Sequence, residues 1–264
     1  MSNFMNLTGK NIVLTGASSG IGKEMLAILC TYDDVKIIAV ARHIENILQI
    51  ENKVYPPLAV DISTKEGVDK LFEVAKEMVG GHVDVFIANA GFAYLEKISE
   101  ADWQHLEKIY SLNVFSPIYS LEKLLVSSRD KPVAFACTIS GAGLVSLPAY
   151  SLYCSTKAAL HHFIRTYRYE QDKNIQITSV YPVATRTGFF DKATGEKETP
   201  LPFPSQDAVT VARKIISGIE KGKKNVYPSV LFRLFYPPIG RAFPFMLRLY
   251  SLQEKQKVKK WLDK

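Results

Sequence analysis

Cysteine is scarce: the 264 residues include only Cys30, Cys137 and Cys154, with no C-x-x-C pair. That excludes a disulfide scaffold and a structural zinc site, and it fits a reducing compartment. No uncharged apolar run reaches the roughly eighteen residues of a membrane span. The first residues lack the basic, apolar and small-residue order of a secretory leader, so a cytoplasmic placement is expected. Tryptophan is limited to Trp103 and Trp261, too isolated to form a stacking platform for nucleic acid. Internal repeats and low-complexity tracts are also missing, which excludes collagen-like and disordered chains.

What is present has the balance of a globular chain: 47% hydrophobic, 22% charged, net charge +7. The charge is unevenly spread. Residues 1–210 hold 20 Lys/Arg against 23 Asp/Glu, whereas residues 211–264 hold 13 against 3. The basicity belongs to the C-terminal fifth and carries no nucleic-acid motif, so no nucleic-acid partner is expected.

Five runs, Asn11–Thr15, Val35–Ala41, Val83–Asn89, Val133–Ile139 and Ile175–Tyr181, are apolar on both faces, as strands of a buried parallel sheet are. Amphipathic stretches separate them: Ile21–Leu29, Lys65–Val79, Trp103–Ser128, Tyr153–Gln171 and Asp207–Lys221. Sustained alternation predicts an α/β class, a Rossmann-like doubly wound parallel sheet in a single domain. The body is expected to span residues 1–229, closed by a short strand near Val226-Tyr227-Pro228, with 230–264 as an extension. Thr187–Ser205 reads as a long irregular insertion.

The first strand leads into Thr15-Gly16-Ala17-Ser18-Ser19-Gly20-Ile21-Gly22 and then a helix. Glycines let backbone turn sharply and approach a pyrophosphate, and the helix presents free N–H groups to it. The spacing is neither G-x-G-x-x-G nor Walker A, since no Lys-Ser/Thr follows Gly22.

This opening resembles the cofactor loop of the short-chain dehydrogenase/reductase family, and further family signatures follow in order over roughly residues 7–229. Asp61, in Val60-Asp61-Ile62, matches the family's adenine-contacting acid. Asn89-Ala90-Gly91 matches its NAG motif, and Asn113 its mid-helix catalytic Asn. Ser140, Tyr153 and Lys157 match its catalytic Ser and Y-x-x-x-K pair. In Pro182-Val183-Ala184-Thr185-Arg186-Thr187, Thr187 matches the residue on the nicotinamide carboxamide, while Val183 and Thr185 replace the usual glycine and valine. Val cannot easily adopt a glycine-only conformation, so this turn is expected to differ and to narrow the site. The resemblance implies a nicotinamide cofactor held by Gly16, Ser18, Ser19, Gly20, Ile21, Gly22, Ile62, Pro182 and Thr185 among others. It also implies a homo-oligomer, dimer or tetramer.

The second strand ends Val40-Ala41-Arg42-His43, with an arginine where an NAD-selective site has a carboxylate. Arg42 offers planar donors to a 2′-phosphate, which predicts NADP(H). The same absence argues against a methyltransferase.

Y-x-x-x-K occurs four times, at Tyr32/Lys36, Tyr119/Lys123, Tyr153/Lys157 and Tyr169/Lys173. Only Tyr153/Lys157 follows a buried strand ending in Ser140 and opens a helix, where i, i+4 spacing puts both groups on one face. Free tyrosine, with a pKa near 10, needs a neighbouring cation to exchange protons at neutral pH. Tyr153 is therefore the expected acid/base, Lys157 its tuner, and Ser140 the donor to a developing oxyanion. By resemblance, Lys157 also holds the nicotinamide ribose and Asn113 supports a proton relay. An enzyme is expected, set against a non-turning cofactor-binding sensor of the same fold. Adjacent His161 and His162 lack ligand spacing, and no metal site is expected.

Phe189, Phe190, Leu201 and Phe203, with Leu144, Leu147 and Tyr150, offer apolar walls for a lipophilic carbonyl or secondary alcohol. Val230–Tyr250 is aromatic, aliphatic and broken by prolines, with Arg233, Arg241 and Arg248; a Lys-rich amphipathic helix, Ser251–Leu262, follows. Three readings are open for this segment: a cap on its own pocket, a subunit interface, or peripheral contact with anionic lipid.

Overall fold

The computed structural model describes residues 5–128, 131–171, 174–194, 202–242, 244–257 and 259. Leu201, Lys173 and Trp261 lie outside them, as does residue 262, the end expected for the last helix. The chain begins β1 (Asn11–Thr15), α1 (Gly20–Leu29), β2 (Lys36–Ala41), β3 (Leu58–Ala59), α2 (Lys65–Met78) and β4 (Val85–Ala88). It continues α3 (Trp103–Tyr110), α4 (Ser116–Ser128), β5 (Val133–Thr138), α5 (Ser151–Tyr167), β6 (Ile175–Val180) and β7 (Ala184–Arg186). It then runs through α6 (Phe189–Thr194), β8 (Ser205–Asp207), α7 (Ala208–Glu220), β9 (Asn225–Val226), α8 (Val230–Ala242) and α9 (Pro244–Lys257).

Seven strands pair in the order β3-β2-β1-β4-β5-β6-β9, all parallel. The winding reverses between β1 and β4, which opens a crevice at the strands' C-terminal ends. Both faces are covered, which is why the strands are apolar on both sides. Leu14, Ile37 and Val85 pack with Met25, Leu26, Ile215 and Ile219 of α1 and α7. Phe86, Phe135 and Ile177 pack on the other face with Leu71, Leu124 and Leu160 of α2, α4 and α5. Phe72, Phe86 and Phe135 stack there in series at 5.5 and 5.8 Å.

Three expectations are corrected. Trp103–Ser128 is not one regular helix: residues Ser111–Phe115 form a π-helical turn between α3 and α4. The Thr187–Ser205 insertion is not irregular throughout. It starts with α6, and β7 and β8 pair in parallel at its two ends, clamping it like a drawstring. The prolines do not break the segment after Val230: α8 runs through Pro237 and Pro238, and α9 starts at Pro244, a first-turn position that needs no N–H. Phe232 and Tyr236 hold α8 down through an aromatic ladder. Tyr181 stacks on Tyr227 at 4.9 Å, Tyr227 meets Phe232 at 6.3 Å, and Phe232 stacks on Tyr236 at 5.1 Å.

Candidate active site

One cavity of about 780 Å³ occupies the crevice, running from the loop after β1 to α8 and α9. At one end, Gly16, Ser18, Ser19, Gly20 and Ile21 form its wall. Helices α2, α3 and α7 are capped by Thr64, Asp102 and Asp207, whose side chains accept first-turn N–H bonds. Helix α1 differs: Ser19 at its N-cap makes no such bond, and the first turn carries no acid. Its donors and positive dipole end are left for an anion.

The glycines are there for clearance. Gly16 sits at φ +69, and a Cβ on it would meet the Ala90 backbone at 3.0 Å. A Cβ on Gly22 would fall 1.9 Å from the Gly16 carbonyl oxygen. Gly22 does not reach the cavity wall; it lets α1 close against the loop. Gly22→Ala should cost about 1–3 kcal/mol through that overlap and weaken cofactor affinity, as urea unfolding and fluorescence titration would report. Unchanged affinity would show that the loop's packing is not critical.

Arg42 and His43 line the cavity just beyond β2, near Asp61 and Ile62. Burial alone would raise the Asp61 carboxyl, but hydrogen bonds from Ser63 and the charges of Arg42 and Lys108 outweigh it, and the net shift is downward. The Ser63 N–H and hydroxyl donate to Asp61 Oδ1 at 3.0 and 2.8 Å. Lys108, reaching the wall from α3, has no sequence signal; only the fold brings it beside Asp61.

Asn89, Ala90 and Gly91 line the middle of the cavity. Asn89 ties three strand ends together: its Nδ2 donates to the Thr15 carbonyl at 3.3 Å, and its Oδ1 accepts from Thr138 Oγ1 at 3.1 Å.

Ser140, Tyr153 and Lys157 meet on the same wall. Ser140 follows β5 at φ +110, a conformation unfavourable for a side-chain-bearing residue. Backbone bonds from Ser140 N to Val180 O (3.2 Å) and Gly141 N to Pro182 O (2.7 Å) hold it there. Its Oγ accepts from Ala142 N–H at 3.1 Å, which leaves the hydroxyl proton to donate. The ammonium of Lys157 lies 5.7 Å from the Tyr153 ring centre and donates to the Thr138 carbonyl at 3.0 Å. Both side chains are buried. Burial pushes the Tyr153 phenol up, against a lowering hydrogen bond from Ser140. Burial also pulls the Lys157 ammonium down to about 8.

Asn113 does not reach the cavity wall. It is 1% exposed inside the π-helical turn, where its Oδ1 accepts from Phe92 N–H at 3.1 Å. Its Nδ2 donates to the Phe92 carbonyl at 2.9 Å and to Thr156 Oγ1 at 3.1 Å. A Cβ on Gly91 would meet Asn113 Oδ1 at 3.1 Å and Lys157 Nζ at 3.4 Å, so this glycine leaves room between them and the cavity.

Pro182, Thr185 and Thr187 also line the cavity. Val183 does so too, and it is not among the residues with positive φ, so this turn needs no glycine. Phe189, Phe190, Phe203, Leu147 and Tyr150 are on the wall as expected. Leu144 is not: it packs against the core beneath the sheet. Leu231, Phe232, Phe235, Tyr236, Met246, Leu247 and Tyr250 of the C-terminal helices also line the cavity.

The other Y-x-x-x-K motifs serve elsewhere. Tyr119 and Lys123 converge on Asp69 at 2.8 and 2.6 Å and link α2 to α4, and Tyr169 is exposed. His161 Nδ1 bonds the Tyr181 hydroxyl at 2.8 Å.

A family model described as short chain dehydrogenase matches residues 10–198. The chain belongs to the short-chain dehydrogenase family. Among its relatives is the 3-ketodihydrosphingosine reductase of Dictyostelium discoideum, 29% identical across 93% of this chain and 82% of that protein. Dehydrogenase/reductase SDR family member 7B of Danio rerio is 28% identical across 84% of this chain and 77% of its own. A Burkholderia cenocepacia short chain dehydrogenase solved with NADP superposes with a TM-score of 0.79 at 21% identity, covering 94% and 99% of the two chains. A Burkholderia phymatum short chain dehydrogenase/reductase solved with NAD gives 0.76 at 17% identity, covering 92% and 96%. Membership makes the protein an oxidoreductase, and the shared fold is the Rossmann-like sheet expected from the alternating pattern.

Proposed function

We propose that the protein is an NADP(H)-dependent oxidoreductase acting between a carbonyl and a secondary alcohol on a lipophilic substrate. The observation that carries this reading is a single continuous cavity that joins an uncapped α1 N-terminus to Ser140, Tyr153 and Lys157. The cavity fits a dinucleotide: Gly16 and Gly22 let the loop pack tightly against Ala90 and α1, and the uncapped α1 N-terminus on the cavity wall leaves N–H donors for a pyrophosphate. When bound, the nicotinamide supplies or accepts the hydride.

The chain's own residues handle the proton and the charge. The Tyr153 phenol, kept protonated by burial, donates its proton to the carbonyl oxygen as negative charge develops there. Ser140 donates a hydrogen bond to the same oxygen from a pre-set position. Lys157 stabilises the phenolate that Tyr153 leaves behind and offers N–H donors to a ribose. Asn113, held by Phe92 and Thr156, positions the backbone beside Lys157 and supports proton return from solvent. Gly16, Ser18, Ser19, Gly20, Ile21, Asn89, Ala90 and Gly91 form the diphosphate and ribose side. Asp61 and Ile62 stand at the adenine end, and Pro182, Thr185 and Thr187 at the nicotinamide end. The Dictyostelium relative, a 3-keto reductase by name, is in keeping with a keto substrate.

The NADP(H) preference rests on Arg42, with no carboxylate at the tip of β2. NADPH should exceed NADH in kcat/KM. Arg42→Ser should cut the NADPH value about 10- to 100-fold, the worth of a charge-assisted bond, with little change for NADH. Equal performance of the two cofactors in the wild type would contradict this assignment.

A further inference from the structure

The C-terminal helices present two faces. Phe232, Tyr236, Leu247 and Tyr250 turn toward the cavity, and α9 is fastened to the body by two hydrogen bonds. The Tyr250 hydroxyl donates to the Phe203 carbonyl at 2.9 Å, and the Ser251 hydroxyl to the Ser146 carbonyl at 2.9 Å. The outward face carries large apolar side chains: Leu231, Leu234 and Phe235 on α8, and Met246, Leu249 and Leu252 on α9. Leu234 and Leu249 are 58% and 59% exposed. Their spacings, i to i+4 within α8 and i to i+3 within α9, align them in a stripe along each helix.

Two observations say what covers this stripe. First, cations accompany it: Arg248 and Lys255 on α9 and Lys259 just beyond it are exposed, and residues 230–264 hold eight Lys/Arg against two Asp/Glu. A helix angle of 100° per residue puts Arg248 and Lys255 on one border of the α9 stripe, where they can reach headgroups while the leucines enter the acyl region. Second, the stripe is continuous with the cavity. Leu231, Phe235 and Met246 line the cavity and are also exposed, so the apolar surface wraps around its mouth. No helix among the described residues is long and apolar enough to cross a membrane.

We propose that α8 and α9 dock in the plane of an anionic lipid bilayer, with the cavity mouth opening at the interface so that a lipophilic substrate enters from the membrane. Docking rests on the stripe and its cations; the entry route rests in addition on the substrate reading above.

Co-sedimentation of the full chain with vesicles tests the proposal, using phosphatidylcholine alone and phosphatidylcholine with phosphatidylserine. Binding should be clear on the anionic vesicles, much weaker on the neutral ones, and reduced by added salt. The double variant Leu234→Asp/Leu249→Asp should bind anionic vesicles at least about tenfold more weakly. Neither residue lines the cavity, so the variant should retain wild-type turnover of a small water-soluble ketone. Docking that persists in a protein turning over no ketone would support the surface while removing the substrate reading. The proposal is overturned if anionic vesicles fail to bind the wild type, or if the double variant binds them equally. It is also overturned if the stripe instead pairs two copies in solution, so that the variant dissociates a dimer without altering vesicle binding.

Discussion

Tyr153→Phe should lower kcat for ketone reduction by about 10²- to 10⁴-fold, the range for removing a positioned general acid. NADPH affinity should change little. The substitution removes one hydroxyl and keeps the ring, which meets Phe189 and Tyr150 at 5.6 and 6.5 Å. The fold should therefore survive, and the loss should appear in kcat rather than in the cofactor's Kd. Stopped-flow NADPH oxidation with a parallel binding titration separates the two. If kcat were retained, another group would be the proton donor. Cys154 is the nearest alternative in sequence, and burial raises its thiol as well.

Lys157→Met should also lower kcat/KM by at least about a hundredfold, but it differs in stability. Lys157 is 4% exposed, and its pKa falls from 10.5 to about 8 because burial disfavours the ammonium. Below about 8 both folded and unfolded chains hold the proton, and the folded state carries the whole burial cost, on the order of 3 kcal/mol. Between about 8 and 10.5 the unfolded chain binds the proton that the folded chain has released. Stability contributed by this residue therefore rises with pH across that window. Methionine removes the cost but leaves the Thr138 carbonyl without its donor, a penalty of about 1–3 kcal/mol. At pH 7 the variant's Tm should match or exceed that of the wild type. Its relative advantage should shrink as pH rises through the window, and taking that difference cancels other groups that titrate in both proteins. For the wild type, ketone reduction needs both Tyr153 and Lys157 protonated, so its rate should fall as pH passes about 8. A variant markedly less stable at pH 7 would show that Lys157 is chiefly a structural cation.

Much of this architecture is legible because its causes are local. Gly16 and Gly20, at φ +69 and +53 on the way into α1, mark a turn that side-chain-bearing residues rarely make, and two-sided apolar strands require helices on both faces. Tyr153 and Lys157 lie one helical turn apart, so spacing alone puts them on one face. Other features depend on contacts that no short window contains. A π-helical turn inserts one residue into an otherwise continuous pattern, and the apolar periodicity of Trp103–Ser128 runs through it without a break. The β7–β8 pairing involves three residues from each side of a long excursion, too few to show alternation. Pro237 and Pro238 signal a stop, but docking of Phe232 and Tyr236 onto the cavity outweighs the lost backbone bonds. Lys108 acts on Asp61 only through the fold, 47 positions further along the chain on α3. Charge distribution and the aromatic, aliphatic run after Val230 single out the C-terminal segment in the sequence, but its exposed apolar stripe emerges only when α8 and α9 dock on the body.

The most direct test of hydride transfer in this cavity uses NADPH carrying deuterium on the reactive carbon of its dihydronicotinamide ring. The purified protein is incubated with a panel of lipophilic ketones, and the products are analysed by mass spectrometry and chiral chromatography. We expect ketone-dependent NADPH consumption, with the deuterium on the carbinol carbon of a single alcohol enantiomer. NADPH that binds tightly but is consumed with none of the ketones would contradict the account and favour a cofactor-binding sensor built on the same fold.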